Sequence, residues 1–146
     1  MRKDKSCGAV VYTRDGDGIR YVISRSKTGI YGFPKGHVEG IESERETALR
    51  EVLEETGLTV QLMDDFRKED CYSFVCENQT ILKQVVYFLG EYSNQVPVPQ
   101  EAEVSEICLM DYETAMSVFR FENLKETLTQ AHQRLTRWGD NSSDAT

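Results

Sequence analysis

Cysteine is scarce in this sequence, and the few cysteines present do not form a disulfide or zinc framework. Among 146 residues there are only four, Cys7, Cys71, Cys76 and Cys108. They lie in or beside apolar, strand-like segments, without the paired spacing that a tetrahedral zinc site prefers. We therefore expect free thiols in the core of a protein of the reducing cytoplasm, with neither disulfides nor zinc.

Positive charge is also in short supply. The chain has 17 lysines and arginines against 25 aspartates and glutamates, which gives a formal net charge of -8. Binding of long nucleic acids relies on many lysine and arginine contacts to phosphate, so this balance argues against such a partner. A small polyanionic substrate would need local cations or a metal ion at its site.

Long hydrophobic runs are missing as well. The apolar run at residues 7–12 is too short for the core of a signal peptide and is followed by charged residues. No stretch is long enough to span a membrane, so no membrane partner is expected. A chain of this length forms one domain, to which we assign residues 1–138. The polar segment 139–146 is predicted to be a disordered tail.

The pattern of apolar residues predicts a mixed α/β fold. Strands are expected over 7–12, 19–24, 59–63, 71–76, 81–92 and 104–110, and helices over 112–118 and 124–138. The first two strands are separated by Asp15-Gly16-Asp17-Gly18, which is a strong hairpin signal. No internal repeat or domain-scale linker interrupts the chain.

One further helix is predicted between Ser43 and Gly57. Ser43 and Glu46 have the spacing of a capping box, and Gly57 stands where a left-handed C-terminal cap is expected. Between these ends the helical spacing predicts one apolar stripe, formed by Ala48, Leu49, Val52 and Leu53.

Three glutamates of this helix are predicted to point at one volume, on a side distinct from the apolar stripe. Glu51, Glu54 and Glu55 are related by i, i+3 and i+4. Like charges this close repel one another. Arg50 supplies part of the compensation, and Glu42 can reach Arg50 from the preceding loop. A hard divalent cation such as magnesium compensates more fully, because it binds carboxylate oxygens. The alternative is a solvated acidic helix face.

The segment around this helix carries a longer pattern, G-x5-E-x7-R-E-U-x-E-E-x-G-U, in which U is an apolar residue. Every fixed position is matched, by Gly36, Glu42, Arg50, Glu51, Val52, Glu54, Glu55, Gly57 and Leu58. This pattern resembles the Nudix box. The resemblance implies an α/β/α sandwich with a mixed central sheet and a loop-helix-loop metal site. It also implies hydrolysis of a nucleoside diphosphate linked to another group.

Residues outside the box narrow the resemblance. The run Phe33-Pro34-Lys35-Gly36-His37, the segment 83–89 and the segment 121–135 are similar to those of the asymmetrical diadenosine tetraphosphate hydrolases. That family implies hydrolysis of diadenosine tetraphosphate to ATP and AMP, with Mg2+, or alternatively Mn2+, as the cofactor. The partner is then a small nucleotide, and the protein is expected to be a monomer or a weak dimer.

The resemblance also implies roles for residues of the metal site. Glu54 either completes the metal shell or accepts the proton of the attacking water. A loop glutamate outside the box is expected to join in metal binding and catalysis, and Glu103 is favoured over Glu101. The full set of expected metal ligands is Gly36 (through its carbonyl), Glu51, Glu54, Glu55 and Glu103. Glu42, Arg50 and Gly57 are expected to have structural roles in the motif.

Substrate contacts are expected from cationic and aromatic side chains. Lys35, His37 and Lys83 are candidates for binding the polyphosphate as cations or hydrogen-bond donors. Tyr87 and Phe121 are candidates for sandwiching an adenine, since flat aromatic faces stack on bases. The alternatives are ordinary surface positions for the first three and core packing for the two aromatic residues.

Other activities remain open within the same resemblance. An RNA 5'-end pyrophosphohydrolase or decapping enzyme also carries related motifs, and a nucleoside triphosphate hydrolase is a further alternative. The acidic net charge weighs against RNA, and a diphosphoinositol phosphatase would need a more basic pocket. A non-catalytic nucleotide sensor would be free to lose the carboxylates, yet all of them are present in this chain.

Overall fold

The computed structural model describes residues 2–16, 18–99 and 104–144. Within them the chain forms eight strands and three helices. In chain order these are β1 (Arg2–Asp15), β2 (Gly18–Ser26), β3 (Tyr31–Gly32), β4 (Lys35–His37), α1 (Glu44–Thr56), β5 (Gln61–Leu62), β6 (Lys68–Cys76), β7 (Gln79–Glu91), β8 (Val104–Met110), α2 (Tyr112–Val118) and α3 (Glu122–Asp144).

All eight strands belong to one mixed sheet. Its path runs β3-β2-β1-β7-β5, while β4 pairs with β1, β6 with β7 and β8 with β2. The pairing of β1 with β7 is parallel over eleven residue pairs, from Arg2↔Ile81 to Tyr12↔Glu91. The other pairings are antiparallel. The predicted α/β class with a mixed central sheet is therefore confirmed.

Buried residues alternate between the two faces of the sheet. Along β1, Val10 and Tyr12 pack into the cluster that includes Leu128 of α3, whereas Ala9 and Val11 pack into the cluster that includes Val52 of α1. This is the period of two expected for a central strand covered on both sides. Helices α2 and α3 thus cover one face and α1 covers the other, in the three-layer α/β/α arrangement.

The predicted hairpin and the predicted caps of α1 are confirmed. Asp15 lies opposite Gly18 in the register of β1 and β2. At the start of α1, Ser43 Oγ accepts from the Glu46 backbone N–H at 3.1 Å, and Glu46 Oε1 accepts from the Ser43 N–H at 2.8 Å. Gly57 ends the helix with φ 74°, a left-handed conformation that glycine adopts without a Cβ penalty.

The predicted apolar stripe of α1 is wrong in half of its members. Ala48 and Val52 are fully buried, but Leu49 and Leu53 are exposed. The buried face contains Thr47 and Thr56 instead. Thr56 is accommodated because its hydroxyl donates to the Val52 carbonyl at 2.6 Å. The buried face is therefore rotated toward the row of residues 47, 51 and 55, which brings two of the motif glutamates close to the sheet.

Other elements differ in extent from the expectation. The strand predicted over 59–63 is reduced to β5, of two residues. Cys71 and Cys76 are exposed on β6, so they are not core thiols, whereas Cys7 is buried; all four cysteines are free. Helix α3 runs from Glu122 to Asp144, whereas the sequence predicted a helix over 124–138. Among the described residues, no helix is long and apolar enough to cross a membrane.

A methyl group at Gly8 is expected to destabilise the protein. Gly8 of β1 lies opposite Lys35 in the pairing with β4, and a Cβ there would overlap the carbonyl of Pro34 and the Cβ of Lys35. We expect Gly8→Ala to lower the free energy of unfolding by about 1–3 kcal/mol, as overpacking usually does. Urea denaturation measures this change. Gly32→Ala is the matched control, since a Cβ at Gly32 meets no atom within 4 Å; equal losses in both variants would contradict the prediction.

Candidate functional site

One large cleft is lined by all the predicted metal-binding and substrate-binding residues within the described part of the chain. Its volume is about 1260 Å³, and its walls come from β1, β2, β3, β4, β6, β7, the loop before β3, the C-terminal half of α1 and the start of α3. The predicted residues that line it are Lys35, Gly36, His37, Glu51, Glu54, Glu55, Lys83, Tyr87 and Phe121. Glu103 and the second choice, Glu101, lie outside the described residues.

The side chain of Arg50 binds several acidic side chains of the Nudix-box segment, residues 36–58. Its Nε and Nη2 donate to the two oxygens of Glu42 at 2.6 and 2.9 Å. Its Nη1 donates to Glu51 at 2.7 Å and to Glu54 at 3.1 Å. Its Nη2 also donates to the His37 carbonyl at 2.9 Å. One guanidinium therefore joins the loop before α1 to two of the helix glutamates.

Glu42 is held as a carboxylate by this arrangement. Hydrogen bonds from Arg50, then from the Glu39 backbone N–H, lower the pKa of Glu42 to about 2. Thr47 donates to the same side chain at 2.9 Å. Glu42 thus reaches Arg50 from the loop, as expected from the sequence, and these contacts anchor the loop onto the helix.

Glu51 and Glu55 form the inner part of the carboxylate cluster. They lie one turn apart on α1, at the edge of its buried face. A Cβ at Gly36 would overlap the carboxyl group of Glu51, so this position accommodates only glycine as long as Glu51 keeps its place. Glu55 accepts a hydrogen bond from the Lys35 backbone N–H at 3.0 Å. Strand β4 and helix α1 are thus in direct contact at these glutamates.

The two inner glutamates repel each other as anions. Burial, together with the neighbouring charge of Glu51, raises the pKa of Glu55 to about 8, against the opposing hydrogen bond from Lys35. In the described residues, no three His, Cys, Asp or Glu side chains are grouped closely enough to hold a metal ion. Arg50 instead draws Glu51 and Glu54 toward itself. The carboxyl oxygens of Glu51 and Glu55, which lie one helical turn apart, nevertheless fit a hard divalent cation, whose binding would favour the ionised form of Glu55.

A cationic group faces the carboxylates across the cleft. Lys83 Nζ donates to Ser6 Oγ at 2.9 Å and lies 3.4 Å from His37 Nε2. Burial, and then the charge of Lys35, lowers the pKa of Lys83. Ser6 is opposite His37 in the β1–β4 pairing, so the strand register brings these groups together. The role of Ser6 was missed, and the sequence offered no signal for it.

The aromatic residues are arranged differently from the expectation. Tyr87 is only 1% exposed, and its ring meets Phe33 edge-on at 5.4 Å. Its face is therefore used for packing. Phe121 is 49% exposed, and Tyr72, which sequence reasoning missed, is 48% exposed; both line the cleft. The sequence offered no signal for Tyr72, because exposure on a strand depends on what covers each face of the sheet.

Glu55→Gln is expected to stabilise the metal-free protein at alkaline pH. The pKa of Glu55 is about 8 in the folded chain against 4.5 for an ordinary glutamate. The extra proton therefore stabilises the folded protein fully at pH values below the pKa of Glu55 in the unfolded chain. This stabilisation is lost as pH rises through the pKa of Glu55 in the folded chain. Gln stays neutral throughout. In EDTA, calorimetry should show a Tm of Glu55→Gln above that of the parent protein at about pH 9, and no difference at about pH 4.

The matched control for that measurement is Glu126→Gln, which removes an exposed carboxylate from α3. Its Tm difference from the parent protein should not grow across the same pH range. A Tm difference for Glu55→Gln that is the same at both pH values would show that the pKa of this carboxyl is not raised in the folded protein.

Comparison with known proteins agrees with this geometry. The chain is 30% identical over 145 residues to the asymmetrical bis(5'-nucleosyl)-tetraphosphatase of Mus musculus, covering 90% of this chain and 95% of that protein. An Ap4A hydrolase of C. elegans in a binary complex superimposes with a TM-score of 0.80, at 22% identity, over 91% of this chain and 98% of that one. A dihydroneopterin triphosphate pyrophosphohydrolase of E. coli superimposes with a TM-score of 0.69, at 16% identity, over 89% of this chain and 97% of that one.

The two structural matches show the fold alone, since their sequence identities are low. The family is shown by the domain match and by the mouse relative, both of which extend over nearly the whole chain. A model of the NUDIX domain matches residues 3–139. These residues contain the carboxylate helix, the Arg50 anchor and the cleft described above. The chain therefore belongs to the NUDIX domain family, and it is a Nudix pyrophosphohydrolase.

Proposed function

We propose that this enzyme hydrolyses diadenosine tetraphosphate asymmetrically, to ATP and AMP, and that it depends on magnesium. The observation that carries the proposal is the composition of one continuous cleft. The carboxylates of α1, the cationic residues Lys35 of β4 and Lys83 of β7, and two exposed aromatic rings all line this cleft. The activity in the name of the mouse relative supports the same choice.

The size of the cleft also supports a long substrate. Ordinary ligand pockets have volumes of about 300–1,000 Å³, whereas this one has about 1260 Å³. Lys83 and Lys35 are placed to bind phosphate oxygens, and Ser6 holds the Lys83 ammonium in place by accepting its hydrogen bond. The open rings of Tyr72 and Phe121, rather than that of Tyr87, offer faces on which a base can stack.

The carboxylates would hold the metal and activate water. Glu51 and Glu55, with the Gly36 carbonyl and Glu54, are the described residues that would bind Mg2+. When bound, the ion would neutralise charge on the phosphate oxygens and orient a water for in-line attack. Glu54 is the most exposed of the three, at 43% of its side chain, and we assign it the acceptance of the water's proton. Arg50 would keep Glu51 and Glu54 oriented.

A panel of substrates tests the proposal. Purified protein is incubated with diadenosine tetraphosphate, diadenosine triphosphate, capped RNA, 5'-triphosphate RNA and nucleoside triphosphates, with magnesium or with EDTA. Ion-exchange chromatography should show ATP and AMP in equal amounts from the tetraphosphate, only with magnesium. Two molecules of ADP would contradict asymmetrical cleavage, and a preference for either RNA would replace the dinucleotide by an RNA 5' end as the substrate.

Glu54→Gln is expected to lower kcat on diadenosine tetraphosphate by about 100-fold or more, with a small change in KM, because loss of a general base affects the chemical step. Steady-state kinetics with saturating magnesium measure both constants. Glu126→Gln again provides the matched control, as it lies outside the cleft. An unchanged kcat in Glu54→Gln would refute the role as base and leave the metal ligands as the candidates.

A further inference from the structure

Asp70 occupies the wall of the cleft without a role in the chemistry described above. It lies near the start of β6, opposite Val85 of β7, two residues from Tyr72. Residues two apart on a strand share one face and are separated by about 7 Å. Asp70 and Tyr72 both line the cleft. The carboxyl group is therefore next to one of the two open aromatic rings.

One half of this carboxyl group is fixed by an ion pair. Lys68 Nζ donates to Asp70 Oδ1 at 2.7 Å, and the two side chains are only 11% and 17% exposed. The other oxygen, Oδ2, is buried and has no hydrogen-bond partner among the described residues. A buried carboxylate oxygen without a donor is costly, and such groups are retained where a ligand or a reaction uses them.

The surroundings of Asp70 indicate which ligand would supply the donor. A base stacked on Tyr72 brings its edge close to Asp70, because the two residues are adjacent on one face of β6. An ionised carboxylate only accepts hydrogen bonds. Adenine carries an amino group at position 6, which donates, whereas guanine and hypoxanthine carry an oxygen there, which does not. A carboxylate at this place favours the first kind of base and repels the second.

We propose that Asp70 is a specificity-determining residue, which accepts a hydrogen bond from the 6-amino group of an adenine stacked on Tyr72. The enzyme thereby prefers 6-amino over 6-oxo purines. This inference rests on the proposed function, in that it names the base-reading group of the same cleft. Lys68 acts as a positioning residue, since its ammonium fixes one oxygen and leaves the other for the base.

The geometry leads to a specific expectation for Asp70→Asn. Lys68 has donors only, so it binds the amide oxygen of the new asparagine. The amide NH2 then occupies the place of Oδ2 and donates instead of accepting. The variant should therefore lose its preference for adenine and gain a hydrogen bond to the oxygen of a 6-oxo base. A change of preference, rather than a general loss of activity, is the signature.

The test compares diadenosine tetraphosphate with diinosine tetraphosphate, whose hypoxanthine bases differ from adenine at position 6. We expect kcat/KM of the parent enzyme to favour the adenine substrate about tenfold or more, as one charge-assisted hydrogen bond supplies. In Asp70→Asn this ratio should fall at least tenfold, to about one or below. Glu126→Gln, on the exposed face of α3 and outside the cleft, is the control that should retain the parent ratio.

Several outcomes would overturn the inference. A parent enzyme without preference between the two substrates would do so, as would an Asp70→Asn ratio within twofold of the parent ratio. A merely structural role of Asp70 would lower kcat/KM for both substrates equally and leave the ratio unchanged. If the parent enzyme hydrolyses neither substrate, the proposed function fails. Calorimetric titration with ATP and ITP then tests the role of Asp70, with the ratio of the two Kd values in place of the ratio of kcat/KM values.

Discussion

The guanidinium of Arg50 is the interaction on which the arrangement of this site depends. It is planar and always charged, and it has enough donors to serve several acceptors at once. In this protein it binds both oxygens of Glu42, one oxygen each of Glu51 and Glu54, and the His37 carbonyl. A lysine could not make these contacts together. The loop and the helix are therefore held in one geometry by one side chain.

The position of the inner glutamates follows from how α1 packs on the sheet. Thr47, Ala48, Val52 and Thr56 form the buried face of the helix. Glu51 and Glu55 border this face, where they contact strand β4 through Gly36 and the Lys35 backbone N–H. Two carboxylates confined there cannot avoid each other by moving into solvent. The packing that stabilises the helix thus also crowds two carboxyl groups, whose mutual repulsion as anions a divalent cation would relieve.

Strand β1 connects this acidic wall to the rest of the cleft. It pairs with β4 through residues 6–8 and in parallel with β7 along its length. Ser6 therefore stands between His37 of β4 and Lys83 of β7, and it accepts a hydrogen bond from Lys83. Gly8 allows β4 to approach closely. The sheet carries Lys35, Lys83 and Tyr72, and it packs against α1, which carries the carboxylates, so these groups line one cleft.

Much of the local structure was predictable from the sequence, because it depends on residues that are close in the chain. The capping box at Ser43, the glycine cap at Gly57 and the hairpin closed by Asp15 and Gly18 are of this kind. The motif spacing identified the Arg50 and Glu42 anchor for the same reason. Side-chain exposure was not predictable in this way. Leu49 and Leu53 have the right spacing for a core face, yet the sheet covers the neighbouring row.

The sequence by itself determined the family, the helix that carries the carboxylates and the order of the longer elements, but not the short strands β3 and β4. Only the tertiary structure decided that Tyr87 is packed while Tyr72 is open. It likewise decided that Ser6 supports Lys83 and that Asp70 has an oxygen without a partner. The physical reason is the same in each case. These properties depend on strand register and on contacts between residues distant in the chain, whereas spacing along the chain reports only local geometry.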